Sequence, residues 1–344
     1  MIKKYGKSLV DVLLARNDFI SQNSVYLAHY QKVAAEYRKQ PKRISCKLCC
    51  IPLPEDISFE SHGIGYKICV NCSHLNGEYE DTLEFAEKVY VEEDYGKLDY
   101  YVYDKTKFLR RMHAIYEPKA KFLIDSLNTL GEDTYNYKYI DYGAGSGYFV
   151  FACRQLGLNA SGVDLSKDQV AFANRIMEAD TLRVITHGTA VDYIKNADCD
   201  VISFINVLEH IRDLNDTLKA MSENPRIKYV YFNVPLFSLT CLLEVMNQES
   251  WNRQLGADHT HLYTKKSLDW LYNHYQYKPV AVWDFGSEMM DFMRFMILDL
   301  TRKGMKQDLI EVIRQYFINS GDEIQMAIDR SGFASETHVL MKKI

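Results

Sequence analysis

Tyr139-Ile140-Asp141-Tyr142-Gly143-Ala144-Gly145-Ser146-Gly147-Tyr148-Phe149 is the stretch from which the fold is read. A short run of strand character enters three glycines at alternate positions, and a helix opens behind them. Glycine has no Cβ, so a G-x-G-x-G turn lets backbone come within contact distance of a ligand. Dinucleotide-binding loops use G-x-G-x-x-G and aim a helix N-terminus at a pyrophosphate. Here the third glycine comes one residue early and Tyr148 stands where those loops keep glycine. A bulky residue there hinders the close approach of pyrophosphate and helix, which counts against a nicotinamide cofactor.

Outward from the loop, strand-like and helix-like segments alternate. Strands are predicted at 137–142, 159–163, 182–186, 200–205 and 228–233, the pattern of βαβ units in a parallel sheet. Two more, 279–284 and 337–342, flank an amphipathic helical insertion at about 287–328. Asp164 ends the second strand, where a carboxylate can accept hydrogen bonds from both hydroxyls of a ribose. Asp141, ending the first strand, suits the charged amino-acid end of a ligand without phosphates. A third signal is Asp200-Val201-Ile202-Ser203-Phe204-Ile205-Asn206-Val207-Leu208-Glu209-His210-Ile211, an apolar strand that turns polar at the carboxyl edge where such sheets bind ligands.

On Asp141 to Gly147, Asp164 and Val207 to Ile211, the chain resembles the class I S-adenosylmethionine (SAM)-dependent methyltransferases. The resemblance covers about residues 120–280 specifically and 281–344 more loosely. It implies an α/β, Rossmann-like seven-stranded sheet with an antiparallel final hairpin, and SAM as cofactor. It places Asp141, Gly143, Gly145 and Gly147 around the methionine end, Asp164 on the ribose, and Thr189 and Ala190 beside the adenine, with Ala144 and Asn206 also binding the cofactor. The subgroup that methylates amino groups of nucleic bases often carries Asn-Pro-Pro-Tyr after the fourth strand; Asn206-Val207-Leu208-Glu209 departs from it.

Five of the eight cysteines lie between Cys46 and Cys72. Cys46-x-x-Cys49 and Cys69-x-x-Cys72, 19 residues apart, fall in the spacing window of zinc sites. Four thiolates fill a tetrahedral Zn²⁺ and leave no place for water, so such a zinc is structural. A segment this short needs the metal in order to fold. Cys50 leaves one ligand ambiguous, His62 or His74 can substitute, and a redox pair or chance spacing are the competing readings. Cys153, Cys199 and Cys241 read as small buried residues.

Charge bounds the partners. Lys+Arg 41 against Asp+Glu 46 gives a net of −5, and the 47% hydrophobic, 25% charged composition is that of a globular protein. Residues 45–77 carry two lysines against Glu55, Asp56 and Glu60, too few cations to hold phosphates, which argues against nucleic acid. An RNA methyltransferase and a non-catalytic SAM-binding protein remain the alternatives. Asp11 and Arg16 interrupt any signal-peptide run and no stretch is apolar enough for a membrane span, so the chain reads as cytoplasmic. Zinc module followed by methyltransferase domain also resembles a bacterial group acting on nucleotide-linked sugars. That likeness implies a small-molecule acceptor, a sugar nucleotide or glycan precursor. Only about 60 residues follow the sixth strand, too few for the further domain of that group's C-methyltransferases. A hydroxyl or amine acceptor is therefore expected; the oligomeric state is open.

A hydroxyl or ammonium acceptor must lose a proton, and histidine titrates near working pH. The candidates are His210, just past the fourth strand, and His259 and His261 in Asp258-His259-Thr260-His261-Leu262-Tyr263; Glu209, His210 and these histidines also suit a metal. The domain reading is a helical arm (1–44) with a Tyr26, Tyr30, Val33, Tyr37 stripe capped by Ser24, the zinc module (45–77), a helical linker or lid (78–135) and the methyltransferase domain (136–344). Residues 1–43 carry nine basic and three acidic residues, and 78–104 ten acidic and two basic. The two segments can pair or face differently charged partners, but a solvated face is expected for most of these charges. Tyr90, Tyr95, Tyr100, Tyr101 and Tyr103 form either a lid over the acceptor or ordinary packing.

Overall fold

The computed structural model describes residues 1–9, 13, 20–90, 104–256 and 259–344. The strands are β1 (Ile2–Tyr5), β2 (Phe59–Ser61), β3 (Ile64–Ile68), β4 (Leu75–Gly77), β5 (Lys138–Tyr142), β6 (Asn159–Asp164), β7 (Leu182–Val184), β8 (Val201–Ile205), β9 (Tyr229–Pro235), β10 (His261–Leu262), β11 (Tyr277–Phe285) and β12 (Glu336–Lys343). A large sheet runs in the order β1-β11-β12-β9-β8-β5-β6-β7. β9, β8, β5, β6 and β7 are mutually parallel, and β12 runs antiparallel between β9 and β11. β8 and β9 are buried at every position, because helices cover both faces of a parallel sheet. The seven strands expected from the sequence are all present, and the insertion is two helices, Glu288–Arg302 and Gln307–Arg330.

The sheet has an eighth strand. Residues 1–44 are not helical throughout: β1 lies parallel to β11, Ile2 opposite Ala281 through Tyr5 opposite Asp284. Four residues with two lysines show no period, and their partner lies at the other end of the chain, so local pattern cannot reveal the pairing. The helix of the arm is Asn23–Tyr37, preceded by Gln22 with no side-chain cap, so Ser24 is inside the helix instead of capping it.

A second, four-stranded sheet has the order β10-β4-β3-β2. The cysteine-rich segment supplies three of its strands and residues 261–262 the fourth, with His261 opposite Asn76. The tyrosine stripe closes it: Tyr30, Val33 and Tyr37 pack with Ile64, Tyr66, Leu75, Phe85 and Leu262. Burying an apolar side chain of this size contributes roughly 1.5–3 kcal/mol, enough to hold the arm down without a cap. The basic arm and the acidic segment do meet. Arg43 pairs with Glu80 and Asp81, Lys47 with Asp81, Lys42 with Glu78 and Lys88 with Glu36. No helix among the described residues is long and apolar enough to cross a membrane.

Candidate active site at the carboxyl edge of the sheet

The glycine loop leaves β5 and doubles back along β6: the amides of Gly143 and Ala144 both donate to the Val163 carbonyl, at 2.9 Å each. Gly143 and Gly147 have φ of +70° and +77°, the left-handed region that favours glycine. A Cβ on Gly143 would stand 2.7 Å from a Val207 methyl, and one on Gly147 2.9 Å from Ala173 Cβ. Gly147→Ala is therefore expected to lower stability by about 2–4 kcal/mol, from left-handed strain and overpacking together. A thermal melt checks it, and an unchanged Tm contradicts this account of the loop.

Two carboxylates organise the loop. Asp164 accepts from the Gly145 amide at Oδ2 (2.7 Å) and from the Ser166 amide at Oδ1 (2.8 Å). Asp141 is buried and accepts from the Ser203 hydroxyl at 2.6 Å. Burial pushes the Asp141 carboxyl up to about 7, opposed by the Ser203 hydrogen bond and reinforced by the charge of Asp164. Burial also raises the Asp164 carboxyl. A positively charged group arriving beside Asp141 offsets that cost of burial. Loop and carboxylates thus fit a ligand with a cationic end and a diol.

A cavity of about 370 Å³ opens over this edge. Asp141, Gly143, Ala144, Gly145, Asn206, His210 and His259 line it. Gly147, Asp164, Thr189 and Ala190 do not: Asp164 sits behind the Gly145 amide, and Thr189 is tied to Thr186 beyond the tip of β7. Asn206 takes a left-handed conformation (φ +57°) at the tip of β8. Its amide donates to Asn233 Oδ1 at 3.0 Å, and its side-chain oxygen accepts from Lys119 Nζ at 3.3 Å.

The three histidines separate. His210 and His259 face each other across the cavity wall with ring centroids 4.9 Å apart. His259 Nδ1 lies 2.9 Å from the Gln254 carbonyl, so it is the protonated nitrogen. His261 is not a candidate base: it is fully buried in β10, with Nδ1 2.9 Å from Nε2 of His74, and touches no part of the cavity. Burial holds both imidazoles neutral, His74 down at about 3 and His261 well below the ordinary value. Glu209 is fully buried, neither of its carboxylate oxygens has a hydrogen-bond partner, and burial raises its carboxyl to about 8. Glu209, His210 and His259 bring one ligand atom each within 4.8 Å of one another.

The rest of the lining comes from residues whose role sequence reading missed. Lys7, Tyr26, His29 and Tyr30 reach in from the arm; Arg111, Tyr116 and Lys119 from the helices at 105–129; and Trp251 to Gln254 from the connection after β9. Met112–Tyr116 is a π-helical turn between Lys105–Arg111 and Glu117–Thr129, a distortion that often marks functional sites. Tyr148 is buried between the rings of Phe108 and Tyr116, at 4.3 and 5.0 Å, so its bulk packs against this lining. Asp258, the side chain of Tyr90, and Tyr95, Tyr100, Tyr101 and Tyr103 lie outside the described residues.

The cysteine cluster is separate from the cavity. Cys46, Cys49, Cys69 and Cys72 bring their sulfurs within 4.8 Å of one another, with Cys46–Cys72 at 3.7 Å and Cys49–Cys69 at 3.5 Å. Tetrahedral thiolates at about 2.3 Å from zinc stand about 3.8 Å apart, so this donor set fits that ion. Cys50 is exposed and faces Asn215, and His74 is engaged by His261 and Ser267, so neither belongs to the cluster. Cys153, Cys199 and Cys241 are buried.

Residues 113–282 match a family model described as a methyltransferase domain. No curated protein matches the chain. Among solved structures the chain is similar to a magnesium protoporphyrin IX methyltransferase from Synechocystis PCC 6803 with 10% identity, 75% of this chain and 92% of that chain covered, and a TM-score of 0.42. It is also similar to a geranyl diphosphate C-methyltransferase from Streptomyces coelicolor A3(2) with 16% identity, 74% and 89% covered, and a TM-score of 0.40.

Proposed function

We propose that the region at 113–282, which matches the methyltransferase-domain model, transfers a methyl group from SAM to a hydroxyl or amine of a small polar acceptor, a sugar nucleotide or glycan precursor. The observation that carries this reading is a single cavity lined by two unlike sets of residues. One is Asp141 and the glycine loop, with the Asp164 carboxylate behind them; the other is Lys7, Arg111 and Lys119 with tyrosines and Trp251. The first set suits a cationic amino-acid end joined to a ribose. The second suits an anionic acceptor with rings to stack, as a sugar nucleotide has.

SAM supplies a methyl group already activated by its sulfonium charge. The chain's part is to hold acceptor and donor in line, which is worth most of the rate in such displacements. In this reading Asp141, Gly143, Ala144, Gly145, Gly147 and Asn206 hold the methionine end, Asp164 the ribose, and Thr189 and Ala190 the adenine. Glu209, His210 and His259 handle the acceptor, whose proton must leave as the methyl arrives. Zinc on the four cysteines is structural, and it holds the 45–77 module against the domain at 136–344. Incubating the protein with labelled SAM and a nucleotide-sugar extract should give a labelled small molecule identifiable by mass spectrometry. Label recovered in RNA instead overturns the acceptor class.

A further inference from the structure

Glu209, His210 and His259 are arranged as ligands for a group that acid–base chemistry alone does not require. The Glu209 carboxylate is fully buried, and neither oxygen has a hydrogen-bond partner. A buried carboxyl group is seldom left so unless it stays protonated; ionised, such groups are paired or coordinate metals. His210 Nε2 is 3.9 Å from Glu209 Oε1, too far for a hydrogen bond and suited to a shared central ion. The Gln254 carbonyl fixes the His259 tautomer, leaving Nε2 as the lone-pair donor, the outer support that metal-binding histidines carry. The three ligand atoms lie within 4.8 Å of one another, and both imidazoles border the cavity.

We propose that Glu209, His210 and His259 hold a divalent transition-metal cation whose open positions face the cavity and bind the acceptor's oxygen. Two imidazoles and a carboxylate leave coordination positions free and suit manganese, iron or cobalt ions, whereas the four thiolates of the cysteine cluster select zinc. A hydroxyl bound to the cation ionises more readily, its proton passing to solvent water and its electron pair staying on oxygen. The imidazoles then act as ligands, and the cation does the work otherwise asked of a histidine base. The cation site stands by itself; naming the bound oxygen as the methyl acceptor rests on the function proposed above.

The test is a Mn²⁺ titration of the full, zinc-retaining chain, with free Mn²⁺ followed by electron paramagnetic resonance and S-adenosylhomocysteine binding followed by calorimetry. One Mn²⁺ per chain is expected. Glu209→Gln and His259→Gln should each weaken it more than about 100-fold while leaving S-adenosylhomocysteine affinity in place. Should Glu209→Gln not fold, His259→Gln, a half-buried position on the cavity wall, decides alone. No Mn²⁺ binding, or equal binding in the variants, overturns the site. Mn²⁺ binding without S-adenosylhomocysteine binding supports the site and overturns the methyl-donor reading instead.

Discussion

Asp164→Ala is expected to weaken S-adenosylhomocysteine binding by about 10²- to 10⁴-fold while the chain stays folded. Each Asp164 oxygen already accepts one backbone amide, from Gly145 and from Ser166, and each keeps lone-pair capacity for one more donor. Two vicinal hydroxyls fill that capacity. Hydrogen bonds to a charged acceptor contribute roughly 1.5–3 kcal/mol each, so losing both removes about 3–6 kcal/mol, and every 1.4 kcal/mol or so is tenfold. The loop loses its Gly145 anchor as well, which adds to the loss by letting the glycines move. Asp164→Asn separates the two effects. It keeps an acceptor oxygen but not the charge, and one of the two backbone amides then faces an NH₂ group. Calorimetric titration of the three proteins measures the series, with circular dichroism as the check on folding. Equal affinity for all three places the ribose elsewhere and removes the reading of β6 as the nucleoside strand.

The parts that could be read from sequence share a physical property: their signal is local. β8 and β9 are buried on both faces and so appear as apolar runs, while β5, β6, β7, β11 and β12 follow from alternation with helices. The glycine loop is legible because its conformation excludes other residues at Gly143 and Gly147. What could not be read depends on pairing over long sequence distance. β1 finds β11, and β10 finds β4, through backbone hydrogen bonds that leave no mark on residue type. That second pairing also decides between two histidines that the sequence presents as equals. His261 is inside β10, where register fixes its neighbours, and His259 lies outside the strand. His261 is drawn into the small sheet against His74, and His259, two residues earlier, is left at the cavity. The π-helical turn is invisible for a similar reason: Met112–Tyr116 has an ordinary helical composition, and only its packing beside Tyr148 shows that it shapes a wall.

Removing the metal proposed for Cys46, Cys49, Cys69 and Cys72 should lower Tm by about 10 °C or more and inactivate the enzyme, although the cluster lies outside the cavity. Structural zinc contributes roughly 10–16 kcal/mol in small modules, and most of this is folding free energy. The strands of that module, β2 to β4, have only three to five residues each, too short to stand alone. Without them β10 loses its partner at Asn76 and Leu75, and Tyr30 and Tyr37 lose the surface that pins the arm. Both losses converge on the cavity. His259 lies two residues before β10, and Tyr26, His29 and Tyr30 line the cavity from the arm helix. Cys72→Ser is the corresponding substitution: a hydroxyl is a poor ligand for zinc, and Cys72 is buried, so the damaged site cannot fill with water. The prediction is checked by treating the protein with a strong chelator and following released zinc, Tm and methyl transfer together, then adding back Zn²⁺ or Mn²⁺. Recovery of Tm with Zn²⁺ and not with Mn²⁺ assigns the effect to the thiolates rather than to Glu209, His210 and His259. Zinc released with Tm and activity unmoved would show that hydrophobic packing of the arm, not the metal, holds this lining in place.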